Sequence, residues 1–86
     1  MKGWNKMKKL PLIFTTEERI SLDEVEIKLF ASYNDAMEYA VKESMKIKHV
    51  NILVCSIRRY EFETPRDNFA TKVFLDAFRD GRKVDM

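Results

Sequence analysis

Apolar and polar positions alternate in some stretches of this chain and recur every three to four residues in others. Val25, Ile27, Leu29 and Ala31 alternate with Glu26 and Lys28, which predicts a strand with one buried and one wet face. The pattern then changes period. Tyr33, Ala36, Met37, Ala40, Val41, Ser44 and Met45 form one helical stripe. Ser32 stands as its cap, and Asp35, three residues on, completes an S-x-x-D variant of the capping box. Glu38 and Lys42 make an i,i+4 pair in the favourable order. Lys46 and Lys48 stand where cations suit a helix C-terminus.

The stretch VNILVCSIRRYEFETP, Val50 to Pro65, predicts the densest strand. Val50, Ile52 and Val54 share one face, Leu53, Cys55 and Ile57 the other. Both are apolar, so the strand should be central or covered on both sides. Past Ile57 the character changes. Arg58, Tyr60 and Phe62 fall on one face, Arg59, Glu61 and Glu63 on the other.

Leu10 to Thr15 reads as a short strand, at an edge or starting at Pro11, which cannot donate to a ladder. TTEER reads as a turn or one loose helical turn. TPRD reads as a helix start, with Thr64 as cap, Pro65 at the first helical position and Asp67 as the N3 acid. Phe69, Ala70, Val73, Phe74, Ala77 and Phe78 would be its stripe and Gly81 its stop, with Phe74 in the core beside Val54. The expected fold is α+β: a small antiparallel or mixed sheet of about three strands with two amphipathic helices, in the order β-β-α-β-α. One domain should span residues 1–86, with 1–9 a basic arm and 82–86 a short tail.

Composition adds limits. A chain of 86 residues buries roughly 60–65 % of its unfolded surface, enough for one core. With 45 % apolar and 35 % charged residues it reads as globular and very soluble. The single cysteine, Cys55, excludes an intramolecular disulfide and fits a reducing compartment. The longest apolar run, Ile52 to Cys55, is too short to span a bilayer. LPLIF is too short for a signal peptide core, so a cytoplasmic location is expected.

Net charge is only +2 but unevenly spread. Residues 1–9 carry four lysines and no acid, and residues 15–27 carry five acids and one arginine. Residues 42–59 carry three lysines and two arginines against one glutamate.

Catalytic chemistry finds little support. One histidine, His49, and one cysteine offer no pair at metal-ligand spacing. His49 reads as a surface loop residue and Cys55 as a buried structural thiol. The two glycines cannot build a phosphate loop. Glu61 with Glu63, and Asp76 with Asp80, read as solvated carboxylates before they read as a cation site or an acid–base pair. The expectation is no enzyme, no metal and no cofactor.

Recognition features remain. RRYEF sets Arg58 and Arg59 beside Tyr60 and Phe62, a pairing found in protein hot spots and on stacking platforms for single strands. Arg58, on the aromatic face, should carry more of the binding than Arg59, which shares a face with Glu61. In the arm, Trp4 is interleaved with lysines, among them Lys6, Lys8 and Lys9. With Lys46 and Lys48 these residues form the candidate partner- or nucleic-acid-binding set. The competing reading packs Tyr60 and Phe62 under the last helix.

The unit VEIKLFASYNDAMEYAVKES followed by a strand resembles the strand–helix–strand units of small early proteins of tailed phages. The T7 phage inhibitor of host RNA polymerase is of this kind. The likeness rests on Ala31, Asp35, Ala36 and Ala40 and covers Val25 to Tyr60, under half the chain. The lysine- and methionine-rich, glycine-poor style is also similar to T4-like accessory proteins. The resemblance implies counter-defence or host takeover by stoichiometric binding, with a host protein as partner. Nucleic acid, RNA more than DNA, is the alternative partner. No membrane is implied, and monomer and homodimer both stay open.

Overall fold

The computed structural model describes residues 7–47 and 49–85. Its order is β1 (Lys8–Lys9), β2 (Ile13–Arg19), β3 (Val25–Phe30), α1 (Tyr33–Lys46), β4 (Ile52–Glu61), a 3-10 turn at Pro65–Asp67, β5 (Phe69–Arg79) and β6 (Arg82–Val84). The described strands form one six-stranded antiparallel sheet in the order β3-β2-β4-β5-β6, with β1 also paired to β4. The expected α+β arrangement of about three strands and two helices is therefore overturned: the described chain is a larger antiparallel sheet with one α-helix.

The second helix is where the sequence pattern misleads. Residues 69–79 are a strand paired with β4 along most of its length. Only the start of the expected helix coils, as the 3-10 turn after Thr64. A register shift between Val54 and Cys55 inserts Leu75 as an extra residue in β5. The bulge breaks the period-2 alternation. On either side of it, Phe69, Val73, Phe74 and Phe78 fall into apparent helical spacing. Gly81 ends no helix. Asp80 and Gly81, at φ 53° and 81°, form the two-residue turn joining β5 to β6, with Arg79 opposite Arg82. Two consecutive positive φ values are what a type I′ hairpin needs.

TTEER is likewise strand, the greater part of β2. Thr15 and Thr16 are buried there, and β-branched side chains favour this pleated setting. Nor is the Leu10 to Thr15 stretch an edge strand, since its Ile13 to Thr15 open β2, which lies between β3 and β4. Pro11 falls in the short break between β1 and β2, where a missing N–H costs no ladder bond.

The helix follows its sequence signals. Ser32 Oγ accepts from the Asp35 N–H at 3.1 Å. Ala36, Ala40 and Ser44 are its buried residues. It packs on one face of the sheet, where Ala36 and Ala40 meet Ile52, Val54 and Phe78. Phe14, Phe30, Tyr33, Met37, Val41 and Leu75 close the edges of this core. At its C-terminal end Ser44 Oγ accepts from the Gly81 N–H at 2.8 Å, pinning the β5–β6 hairpin. A Cβ on Gly81 would stand 2.7 Å from Met45 Cγ, so glycine is demanded twice.

Candidate functional site

Residues directly opposite in an antiparallel ladder point to the same side, so the register sorts every strand residue onto one of two faces. One row on the helix side runs Glu26–Glu18–Ile52–Phe78–Lys83. The next row on the other side runs Ile27–Glu17–Leu53–Ala77–Val84. A further row there is Leu29–Thr15–Cys55–Phe74. No described element packs on this second face. With one helix instead of two among the described residues, half of the expected cover is not found there. Val25, Ile27 and Leu29, expected inside, are 41, 54 and 66 % exposed, and Phe74, expected in the core, is 46 % exposed.

This open face is apolar but not uniformly so. Lys72 Nζ stands 2.7 Å from Glu17 Oε2 in its midst. The bond to Glu17 holds the Lys72 pKa above its ordinary value. Cys55 beneath them is buried as expected, and burial, then the Glu17 charge, pushes its thiol up. A thiol so placed stays protonated and is a poor nucleophile.

The second candidate surface is the far end of β4. Val54 is the last residue of this strand in the helix-packed core, so the strand runs on past its cover. β1 lies beside it, with Lys8 opposite Glu61 and Lys9 opposite Tyr60. The structure thus brings Lys8, Lys9, Arg58, Arg59, Tyr60 and Phe62 to one end of the sheet, with Lys9, Arg58, Tyr60 and Phe62 on one face and Lys8 and Arg59 on the other. Tyr60 and Phe62 pack under no helix. Tyr60 stacks on Phe69 of β5, with ring centroids 4.8 Å apart, and Phe62 follows at 6.0 Å. Asn68 Oδ1 accepts from the Phe62 N–H at 2.7 Å and sets the turn that carries the rings. Arg59, Tyr60, Glu61, Asn68, Phe69 and Ala70 line a small depression here.

The two arginines differ in a way the pattern did not show. Arg58 Nη1 donates to the Leu10 carbonyl at 3.0 Å, and the Leu10 N–H donates to the Arg59 carbonyl at 3.0 Å. Arg58 is thereby occupied in clamping the Pro11 break against β4. Arg59 is exposed on the opposite face.

Lys46 does not join this cluster. It ends α1 beside Glu43, at 3.8 Å, near the start of β4. At about 3.4 Å per residue that is roughly 25 Å from Tyr60. Trp4, Lys6 and Lys48 lie outside the described residues. His49 is an exposed residue in the left-handed region at φ 65°. Asp76 is held by the fold: it accepts from the Tyr33 hydroxyl at 2.5 Å and pairs with Lys83 at 3.1 Å. Among the described residues no three His, Cys, Asp or Glu side chains cluster as a metal site, and no helix is long and apolar enough to cross a membrane.

Two features were not legible in the sequence pattern: Phe69, the ring on which Tyr60 and Phe62 stack, and the open sheet face. For the face, a partial signal was nonetheless present in β2. Its Thr15, Glu17 and Arg19 share a side with Val25, Ile27 and Leu29, so that side was already mixed. Comparison with protein-family models, curated proteins and solved structures returns no match to this chain.

Proposed function

We propose that this is a non-enzymatic binding protein that captures a macromolecular partner stoichiometrically, in the manner of phage-type proteins that inhibit or redirect a host protein. One observation carries the reading. An antiparallel sheet with one helix presents an apolar face, with Ile27, Leu29 and Phe74 roughly half exposed or more. Large apolar side chains exposed on one sheet face are the raw material of an interaction site. The Glu17–Lys72 pair within it offers a polar anchor of each sign. A rigid sheet also lowers the ordering cost that a flexible loop would meet on binding.

A second reading is favoured by the β1–β4 register. It sets Lys9 on the face of the Tyr60–Phe69 stack and Lys8 with Arg59 on the reverse face of the same strand end, so that cations flank the stacked rings as single-stranded nucleic acid requires. The test is capture from bacterial lysate, with and without nuclease, using the native chain and folded Phe74→Glu and Arg59→Ala variants. The protein-binding reading expects nuclease-resistant capture that Phe74→Glu abolishes and salt barely weakens. Capture that needs nucleic acid, fails with Arg59→Ala and falls steeply with salt replaces it with the second reading.

A further inference from the structure

Among the described strands the sheet ends on β3, which pairs on one side only. Its six residues are regular and well paired with β2 over their full length. Such an edge is a template for another strand unless the chain blunts it. At the opposite edge β6 has only three residues. The part of β5 that β6 leaves unpaired is interrupted by the bulge at Leu75. β3 has no bulge and no proline, and it shows three exposed aliphatic side chains.

The direction of its hydrogen-bonding groups follows from the turn before it. The Ile20 N–H donates to the Glu24 carbonyl at 2.9 Å, so Glu24 turns its backbone groups toward β2. In an antiparallel strand the two backbone groups of one residue point the same way, and the direction alternates. Glu26, Lys28 and Phe30 therefore bond inward. Val25, Ile27 and Leu29 present their N–H and C=O groups outward.

We infer that β3 is a self-association edge, pairing antiparallel with β3 of a second copy of this chain about a two-fold axis at Ile27. Such an axis stands perpendicular to the sheet, so each face continues into the same face of the other copy. Registers centred on Glu26, Ile27 or Lys28 satisfy that condition. Centring on Glu26 sets glutamate against glutamate, and centring on Lys28 sets lysine against lysine. Only the Ile27 register places Glu26 opposite Lys28 of the second copy, twice over by symmetry. The same register uses all three outward residues in each copy: Ile27 meets Ile27, and Val25 meets Leu29. The other two registers leave one of the three outside the strand pairing. Charge and hydrogen bonding thus select one alignment independently. Within one copy Glu26 faces Glu18, a like charge, across the ladder. The partner lysine supplies the opposite charge on its free side.

This dimer would join two open faces into one surface, but it does not depend on the proposed capture function. Sedimentation of the full chain tests it without reference to any other partner. The native protein should sediment as a dimer. Glu26→Lys and Lys28→Glu should each raise the dimer dissociation constant at least about tenfold, since each places like charges opposite in two pairs. The double exchange, Glu26→Lys with Lys28→Glu, should restore the dimer. Mixing the two single variants should give a heterodimer, because one chain then carries lysine and the other glutamate at both positions, and each cross-strand pair joins opposite charges. Circular dichroism melts confirm that each variant is folded. A native chain that remains monomeric at high concentration overturns the inference, as do single variants that dimerise normally. A folded double exchange that stays monomeric also overturns it.

Discussion

Phe74 and Phe78 lie four residues apart on one strand, yet one is 46 % exposed and the other 3 %. The difference is the face. Phe78 stands opposite Ile52 under the helix, while Phe74 stands opposite Cys55 on the side that no described element covers. Glu17 and Glu18 repeat the contrast with charge. Glu17, on the open side, meets Lys72 at 2.7 Å. Glu18, on the helix side, is 4 % exposed, and its Oε1 has no hydrogen-bond partner among the described residues. One face of this sheet is a core and the other is a surface. Neighbouring residues with the same chemistry therefore do different work.

The sharpest way to break this comparison is to truncate both phenylalanines. Phe78→Ala should cost about 3–5 kcal/mol by denaturant unfolding, a large part of the stability of so small a domain. Phe74→Ala should cost less than about 1 kcal/mol. Equal losses would mean that the open face is covered in solution.

The polar contact beneath the helix should rank next. The bond from Tyr33 is the largest cause that holds the Asp76 carboxyl below the usual carboxylate range, with Lys83 helping. The same bond, with burial and the Asp76 charge, pushes the Tyr33 hydroxyl up to about 12. Tyr33→Phe should cost about 1.5–3 kcal/mol at neutral pH, as for a hydrogen bond to a charged group. The Asp76 contribution has a definite sign. A folded pKa below the unfolded value stabilises above the unfolded pKa, and the gain is lost as pH falls through the folded pKa. The penalty of Tyr33→Phe should therefore shrink in acid. A penalty independent of pH would deny the link.

The two glutamates should give the smallest effects, of opposite sign. Burial raises the Glu18 pKa, and the nearby Glu43 and Glu26 raise it further. A folded pKa above the unfolded one makes the ionised form a liability. That liability is absent below the unfolded pKa and grows as pH rises through the folded value. Glu18→Gln should accordingly raise the melting temperature, more at neutral pH than in acid. Glu17→Gln should lower the stability by less than about 1 kcal/mol, and by less again in high salt, because its partner Lys72 is largely exposed. A stabilising Glu17→Gln or a destabilising Glu18→Gln would reverse the assignment of faces.

Parts of this were legible in the sequence because their causes are local. The helix is announced by Ser32, Asp35 and a stripe whose period belongs to one element. The strand β4 is announced by its apolar run, although its part in the helix-packed core ends at Val54, before the change of character at Arg58. The arginine–aromatic end was also visible, since alternation alone puts Tyr60 and Phe62 on one side. Its third ring was not, because Phe69 was assigned to a helix. Asp80 and Gly81 carried a hairpin signal that the expected helix stop masked.

By itself, then, the sequence determined one capped helix, an apolar central strand and the absence of an intramolecular disulfide. These depend on residue type and on spacing within a few turns or a few strand positions. Only the tertiary structure decided that residues 69–79 extend, that β2 lies inside the sheet, and that Val25, Ile27 and Leu29 face outward. The reason is that a bulge shifts the apparent period by one residue, and strand pairing can override local helical spacing when a long neighbour such as β4 offers a full ladder. Which face of an alternating strand is the inner one is not encoded in that strand. It is set by where α1 lands.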